Sequence, residues 1–125
     1  MELFALASAR NHWLSAKLAV IAGNVANATT PGYRAREISP FREVMENRAV
    51  TLARTDPAHL NAAGAEGPAP VSVRERPGGL TTFSGNNVSL EKEMLEGAET
   101  VRAYRLNTNL VRAYHRMFLL ALKEG

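Results

Sequence analysis

Residues 24–33 read Asn-Val-Ala-Asn-Ala-Thr-Thr-Pro-Gly-Tyr and close a long apolar-periodic segment. Pro31 cannot continue a helix, and it pushes the preceding Thr30 toward extended backbone. Pro31-Gly32 is the preferred central pair of a type II turn, because glycine tolerates the positive φ required there. Asn27 is expected in the left-handed position that follows many helices. This stretch therefore predicts the C-terminus of a helix followed by a tight turn.

The segment before the turn, residues 3–26, is predicted to be an amphipathic helix. Its apolar residues recur at three- and four-residue steps: Leu3, Ala7, Leu14, Leu18, Ile21 and Val25. A second row widens the apolar face: Leu6, Trp13, Ala16 and Val20. A helix with so wide an apolar face needs a partner, and Trp13 is interpreted as packing in the core or an interface.

A second long helix is predicted from Ser89 to Lys123, with Ser89 as its cap and Glu91 and Glu93 complementing its dipole. Two rows of a heptad seam run along it. One row is Met94, Val101, Thr108, His115 and Leu122; the other is Leu90, Gly97, Tyr104, Val111 and Phe118. We expect this seam to pack against the N-terminal helix.

The C-terminal half of this helix has a further apolar stripe on the face opposite the seam. Its members are Leu106, Leu110, Ala113, Met117 and Leu120. One partner helix cannot cover two opposite faces, so the stripe predicts contact with another subunit. The full predicted assembly interface is Leu14, Leu18, Ile21, Val25, Met94, Val101, Tyr104, Leu106, Leu110, Val111, Met117 and Phe118.

Residues 34–86 are rich in proline and glycine and predict a loosely structured middle segment. Ser39-Pro40 can start a short helix. Asp56-Pro57 makes a similar start, and residues 64–70 read as a small-residue linker. Residues 70–83 alternate weakly around Pro77-Gly78-Gly79, which indicates a possible β-hairpin.

The expected fold is mainly α, with long N- and C-terminal helices packed as an antiparallel, coiled-coil-like pair. We divide the chain into residues 1–33 (helix and turn), 34–86 (irregular middle) and 87–125 (C-terminal helix). The two ends together are expected to form one assembly domain. A chain of 125 residues is at most one domain. Its opening residues lack the features of a Sec signal peptide, and no apolar run is long enough to span a membrane.

The chemistry-bearing residues do not favour an enzyme. The chain has no cysteine and a single aspartate, Asp56, and its three histidines share no short motif. We find no metal-ligand spacing, phosphate loop or nucleophile elbow, and we expect no cofactor, no catalytic residue and no small-molecule substrate.

Charge is distributed unevenly along the C-terminal helix, although the net charge is only +3. A basic row is formed by Arg102, Arg105, Arg112 and Arg116. Four glutamates precede it: Glu91, Glu93, Glu96 and Glu99. Two interpretations stay open, a solvated face and electrostatic complementarity between neighbouring subunits.

The turn sequence also resembles the N-terminal signature of the flagellar axial proteins, the rod and hook family. The matching positions are Asn24, Ala26, Asn27, Thr30, Pro31, Gly32 and Tyr33. Residues 87–94 resemble the opening of that family's C-terminal helix, with Ser89 where the family usually has aspartate. The order Leu-Glu-Lys-Glu-Met and the short chain are most similar to a proximal rod subunit.

The resemblance implies a structural rod subunit of the bacterial flagellar basal body, exported through the flagellar type III apparatus without a cleaved signal and assembled in the periplasm. It implies contacts with other copies, with the rod proteins FlgC, FlgF and FlgG, with the adaptor FliE and with the MS-ring protein FliF. Within the family the alternative is the neighbouring rod protein FlgC. Outside it, the alternative is a small helical nucleic-acid-binding protein using the arginine row, which should show steeply salt-dependent DNA binding. Nothing in the turn motif serves nucleic-acid binding, and no nucleic acid is expected as a partner.

Overall fold

A computed structural model describes residues 2–50 and 71–123 of the chain. Along them the order of elements is α1 (Glu2–Ala26), β1 (Arg36–Ile38), α2 (Phe41–Val50), β2 (Val73–Glu75) and α3 (Leu90–Lys123). The mainly helical fold, its two long helices and the short helix after Ser39-Pro40 are confirmed. The predicted helix start at Asp56-Pro57 and the linker at 64–70 lie outside the described residues.

Helices α1 and α3 pack antiparallel. Residues near the start of α1 contact residues near the end of α3, and residues near the end of α1 contact the start of α3. The Phe4 and Tyr114 rings meet edge to face at 5.9 Å near the start of α1. At the end of α1, Asn24 donates to the Glu93 carboxylate over 3.0 Å. Between them, a Cβ added to Gly97 would lie 3.6 Å from the Ile21 side chain, so the two backbones approach closely.

The face that α3 turns toward α1 differs from the predicted seam. The row containing Gly97 and Val111 lies on the α1 side, as expected. The second row does not begin at Met94, whose side chain is 64% exposed. Two later members of that row do contact α1, since the Thr108 hydroxyl accepts from the Asn11 amide over 3.5 Å and the His115 ring lies 6.5 Å from that of Phe4. The row one residue earlier also faces α1: Glu93, Thr100, Asn107 and Tyr114.

Hydrogen bonding explains why polar side chains occupy this inner row. The Thr100 hydroxyl donates to the Glu96 carbonyl over 2.6 Å. The Asn107 amide donates to the carbonyl of Ala7 and to the side-chain oxygen of Asn11, both at 2.8 Å. A polar group can be buried without a large penalty once its hydrogen bonds are made. The contact face of α3 therefore includes a polar row that the apolar pattern does not mark.

The small sheet pairs strands from the two sides of the middle segment. Strand β1 runs antiparallel to β2, with Arg36 opposite Glu75 and Ile38 opposite Val73. The predicted hairpin around Pro77-Gly78-Gly79 is wrong in its second strand, because residues 80–83 form no strand. Gly78 and Gly79 have φ of 76° and 96°, which turns the chain away from the sheet.

The apolar core is small and lies around α1, against α3, the sheet and α2. Its buried side chains are Ala7, Leu14, Ile21, Ala35, Ile38 and Val44. Trp13 of α1 contacts α2 and the residue that precedes Pro40. Its indole N–H donates to the Ser39 carbonyl over 2.7 Å, and its ring centroid lies 5.9 Å from that of Phe41. From Arg112 to Lys123 every residue of α3 is exposed, so this last third adds nothing to the core.

Candidate functional site

The predicted turn is present at residues 30–33. Gly32 has a φ of 72°, and the Tyr33 amide donates to the Thr30 carbonyl over 3.3 Å. These features confirm the tight turn and the need for glycine at its third position. Asn27 departs from expectation, because no residue other than glycine has a positive φ in the described part of the chain. Its side-chain amide instead donates to the Gly23 carbonyl over 2.8 Å, and the same carbonyl also accepts from the Asn27 backbone amide over 3.1 Å.

Asn24, a fully buried residue of the signature, uses every hydrogen-bonding position of its side chain. Its amide nitrogen donates to the Arg36 carbonyl at 2.8 Å and to Glu93 Oε2 at 3.0 Å. Its oxygen accepts from the Arg36 amide at 2.9 Å and the Tyr33 hydroxyl at 3.3 Å. An amide side chain has two donor hydrogens and two acceptor lone pairs, so all four are satisfied. Asn24 thereby connects the end of α1, the start of β1 and the start of α3.

Glu93 is the second fully buried polar group at this place, with 0% of its surface exposed. Its other carboxylate oxygen accepts from the guanidinium of Arg76, which follows β2. Arg76 also approaches Glu96 at 3.5 Å and Glu37 at 3.9 Å. A buried carboxylate is tolerated here because it is both paired with a cation and hydrogen-bonded. Of the four glutamates for which a solvated face or a neighbouring subunit was considered, Glu93 and Glu96 are therefore engaged within the chain.

Asn86 and Asn87, just before α3, bind directly to the turn. The Asn86 amide donates to the carbonyls of Asn27 and Thr30, both at 2.8 Å. The Asn87 side-chain oxygen accepts from the Ala35 amide at 2.6 Å. The two matching segments of the sequence thus form one structure.

We call this hydrogen-bonded set the junction. Its side chains and its turn glycine are Asn24, Asn27, Gly32, Arg76, Asn86, Asn87 and Glu93. Asn86, Arg76 and the buried state of Glu93 were not predicted from the sequence. The pair of adjacent asparagines before a helix cap was the one available signal, since such side chains often bond backbone groups locally.

The residues predicted as the assembly interface fall into two groups. Leu14 and Ile21 are buried within the chain, and Val101 and Val111 are half-buried. The remaining members are exposed: Leu18, Val25, Met94, Tyr104, Leu106, Leu110, Met117 and Phe118. That another subunit covers these exposed residues stays a prediction.

The four arginines of the basic row, Arg102, Arg105, Arg112 and Arg116, are all exposed. None of them has an ion-pair partner within residues 2–50 and 71–123. In the same part of the chain, no three His, Asp or Glu side chains are grouped so that they could hold a metal ion. The described helices also include none with the length and apolar character of a membrane span.

Comparison with known proteins gives a consistent family. The model of the family "Flagella basal body rod protein" matches residues 7–34, which include the whole turn signature. The FlgB rod protein of Agrobacterium fabrum is 41% identical over 130 residues, covering 99% of this chain and 95% of the relative. The FlgB protein of Salmonella typhimurium is 29% identical over 114 residues, covering 85% and 82%. That of Escherichia coli is 28% identical over the same length.

These matches do not favour the alternatives, FlgC within the family and a nucleic-acid-binding protein outside it. The similarity to the Agrobacterium protein extends over nearly the whole chain, including the middle segment between the two signatures. The chain belongs to the family of the flagellar basal body rod protein FlgB.

Proposed function

We propose that this chain is a structural subunit of the flagellar basal-body rod that polymerises through its two terminal helices and so forms part of the drive shaft for motility. The observation that carries this proposal is the C-terminal third of α3. Five large apolar side chains there are exposed: Met117, Phe118, Leu119, Leu120 and Leu122. They occupy nearly consecutive positions and so surround the helix instead of marking one face. A helix that is apolar all round is normally buried, and here the neighbouring subunits would bury it.

The position within the rod and the partners belong to the same proposal. We place the subunit in the proximal, periplasmic part of the rod, reached through the flagellar type III export apparatus without a cleaved signal. Its neighbours would be further copies, the rod proteins FlgC, FlgF and FlgG, the adaptor FliE and the MS-ring protein FliF. Membership of the FlgB family supports this assignment, as it supports a structural role instead of an enzymatic one.

The test places a charge at the proposed interface. Met117→Glu should abolish rod assembly in cells, because a polymer buries the carboxylate without a partner at a cost of several kcal/mol at each contact. The helix content of the purified subunit, measured by circular dichroism, should stay unchanged because Met117 is exposed in the monomer.

Ala98→Glu is the matched control, since it adds the same carboxylate at an exposed position of the same helix. Cells with this variant should assemble rods normally. Normal assembly and swimming with Met117→Glu would contradict the proposal.

A further inference from the structure

Most of α3, residues 100–123, contains basic residues and no acidic one. Helix α1, which packs against α3, adds Arg10 and Lys17 and has a single acidic residue, Glu2. The basic residues in this part of α3 are Arg102, Arg105, Arg112, Arg116 and Lys123. This part of the helix pair is therefore strongly basic, although the net charge of the whole chain is only +3.

Lys123 extends the basic row along one line of the helix. It follows Arg116 by seven residues, as Arg112 follows Arg105, and such steps keep these side chains within about 40° of one another around the axis. All of them are exposed. About a quarter turn away lies the apolar stripe opposite the seam, which we call the outer stripe: Leu106, Leu110, Ala113, Met117 and Leu120. Its four large side chains are between 55% and 70% exposed.

An exposed helix with an apolar stripe beside a row of cations fits the surface of an anionic lipid layer. Such a helix lies in the plane of the layer, with its apolar side chains at the boundary between headgroups and acyl chains. The long stems of arginine and lysine cover apolar surface while their charged ends reach the headgroups. Phe118 and Leu119 are also exposed and widen the apolar side of the helix. Anionic phosphates are the chemical complement of the basic row.

A hollow beside the basic row offers a place for a phosphate headgroup. It lies where α1 meets α3 and is lined by Phe4, Val111, Arg112, His115 and Arg116. In the described part of the chain, neither Arg112 nor Arg116 is ion-paired. Their guanidinium groups therefore keep their donors for phosphate oxygens, which arginine binds through two parallel hydrogen bonds.

The rest of a second copy offers the basic row no comparable anionic surface. The charged residues around the junction are Arg34, Arg36, Arg74, Arg76, Lys92, Glu37, Glu75, Glu91, Glu93, Glu96 and Glu99. Their charges nearly cancel, and two of the glutamates, Glu93 and Glu96, are already engaged by Arg76. Helix α2 is balanced as well, since its acidic and basic residues are Glu43, Glu46, Arg42 and Arg48. Two basic rows brought face to face would repel each other.

We propose that the free subunit binds an anionic lipid surface through the outer stripe and the basic row of α3. The helix lies along the surface, with the cations at the level of the headgroups and α1 on the side turned toward water. The inference goes beyond the proposed function, because it concerns the subunit before it meets its neighbours in the rod.

Vesicle binding tests the contact with the purified full chain. The chain is sedimented with vesicles of phosphatidylglycerol and phosphatidylcholine in equal parts, and with vesicles of phosphatidylcholine alone. Each cation close to an anionic membrane contributes about fivefold to affinity, so we expect binding to the anionic vesicles to be at least about tenfold tighter. Arg112→Gln combined with Arg116→Gln should remove at least about tenfold of that affinity. Equal binding to both kinds of vesicle would overturn the proposal.

The matched control is Arg34→Gln combined with Arg36→Gln, the same change of charge at two exposed positions beside the turn. It should change the affinity by no more than about twofold, because these residues lie at the far end of the helix pair, beyond the screening length of salt. Circular dichroism of both double variants checks that the helix content is unchanged. An equal loss of binding in the two variants would show that only the net charge acts, and would contradict the assignment to the basic row.

A fluorescent label identifies the part of the chain that enters the lipid. Because the chain has no cysteine, Met117→Cys and Thr81→Cys can each carry one environment-sensitive dye. Anionic vesicles should shift the emission of the dye at position 117 toward the blue and leave that at position 81, beside the exposed Leu80 and Phe83, unchanged. A shift at position 81 alone would place the contact on the loop and overturn the proposal.

Self-association is the competing outcome of the same experiment. If the dye at position 117 is already buried in vesicle-free solution at concentrations where sedimentation shows a dimer, and vesicles add nothing, a second copy covers the outer stripe and the proposal fails. These measurements use no assembled rods, so that result would leave the proposed function standing.

Discussion

At the scale of single residues, the junction shows how two buried polar groups stabilise a turn. Asn24 and Glu93 are each fully buried, and each finds partners for its polar atoms in the other and in Arg36 or Arg76. Removing one member leaves the others buried and unpaired, which costs more than a single hydrogen bond contributes. The signature asparagine therefore acts through a partner that is distant in sequence.

A substitution at Glu93 tests this network. Glu93→Gln keeps the shape of the side chain but removes the charge that faces Arg76. Both carboxylate oxygens of Glu93 accept hydrogen bonds, from Asn24 and Arg76, so the new N–H₂ group of glutamine would face another donor. We expect the free energy of unfolding to fall by about 3 kcal/mol. This is at the low end for a broken buried ion pair, because Glu96 and Glu37 remain near Arg76. The measurement is the urea midpoint of helix loss, followed by circular dichroism.

The matched control is Glu91→Gln, the same chemical change two residues earlier at an exposed position. It should lower the free energy of unfolding by less than about 1 kcal/mol, which is what one favourable charge in the first turn of a helix contributes. Equal midpoints for the two variants would show that the buried pair contributes no more stability than a surface carboxylate.

At the scale of the elements, the contact face of α3 decides which positions tolerate charge. Thr100 is 3% exposed and Met94 is 64% exposed, although the apolar pattern alone assigns them the opposite roles. Thr100→Glu should lower the free energy of unfolding by about 3–5 kcal/mol, as for an uncompensated buried charge. Met94→Glu should change it by no more than about 0.5 kcal/mol. Unfolding of each purified variant in urea compares them, and the reverse order would restore the predicted seam.

The turn and the three helices could be predicted because their signals are local. Proline, glycine and helix periodicity act within a few residues, as at Pro31-Gly32 and Ser39-Pro40. The burial of Glu93 and the contact of Asn107 with α1 could not be predicted, because their partners Asn24 and Ala7 lie 69 and 100 residues away. Without those partners, a glutamate or asparagine on a helix indicates a solvent-facing position.

The same reasoning accounts for the strand that was misplaced. Alternation near Pro77-Gly78-Gly79 favoured a local hairpin, which is the shortest way to pair a strand. The actual partner of β2 is β1, with Arg74 opposite Glu37. A pairing over such a separation depends on the junction, where the Arg76 amide donates to the Ala35 carbonyl over 2.7 Å.

At the scale of the whole molecule, the two ends of the helix pair differ in how completely their side chains are packed. The junction end has satisfied polar groups and the small sheet. The other end has the exposed last third of α3, residues 112–123. Tyr114 and His115 meet the Phe4 ring at the start of this segment, and the residues beyond them expose large apolar side chains. A helical segment with so little tertiary packing is marginal in water at this length. We therefore expect assembly to complete the core, with the cost of ordering offset by burial between subunits.

Hydrogen exchange of the backbone amides, compared between the purified monomer and isolated basal bodies, tests this claim most directly. In the monomer the amides of residues 112–123 should exchange fast, while the amides of Ala35 and Arg36, which donate to the junction side chains Asn87 and Asn24, should be the slowest. In basal bodies residues 112–123 should become protected. A monomer in which residues 112–123 are protected as strongly as the junction would contradict the account.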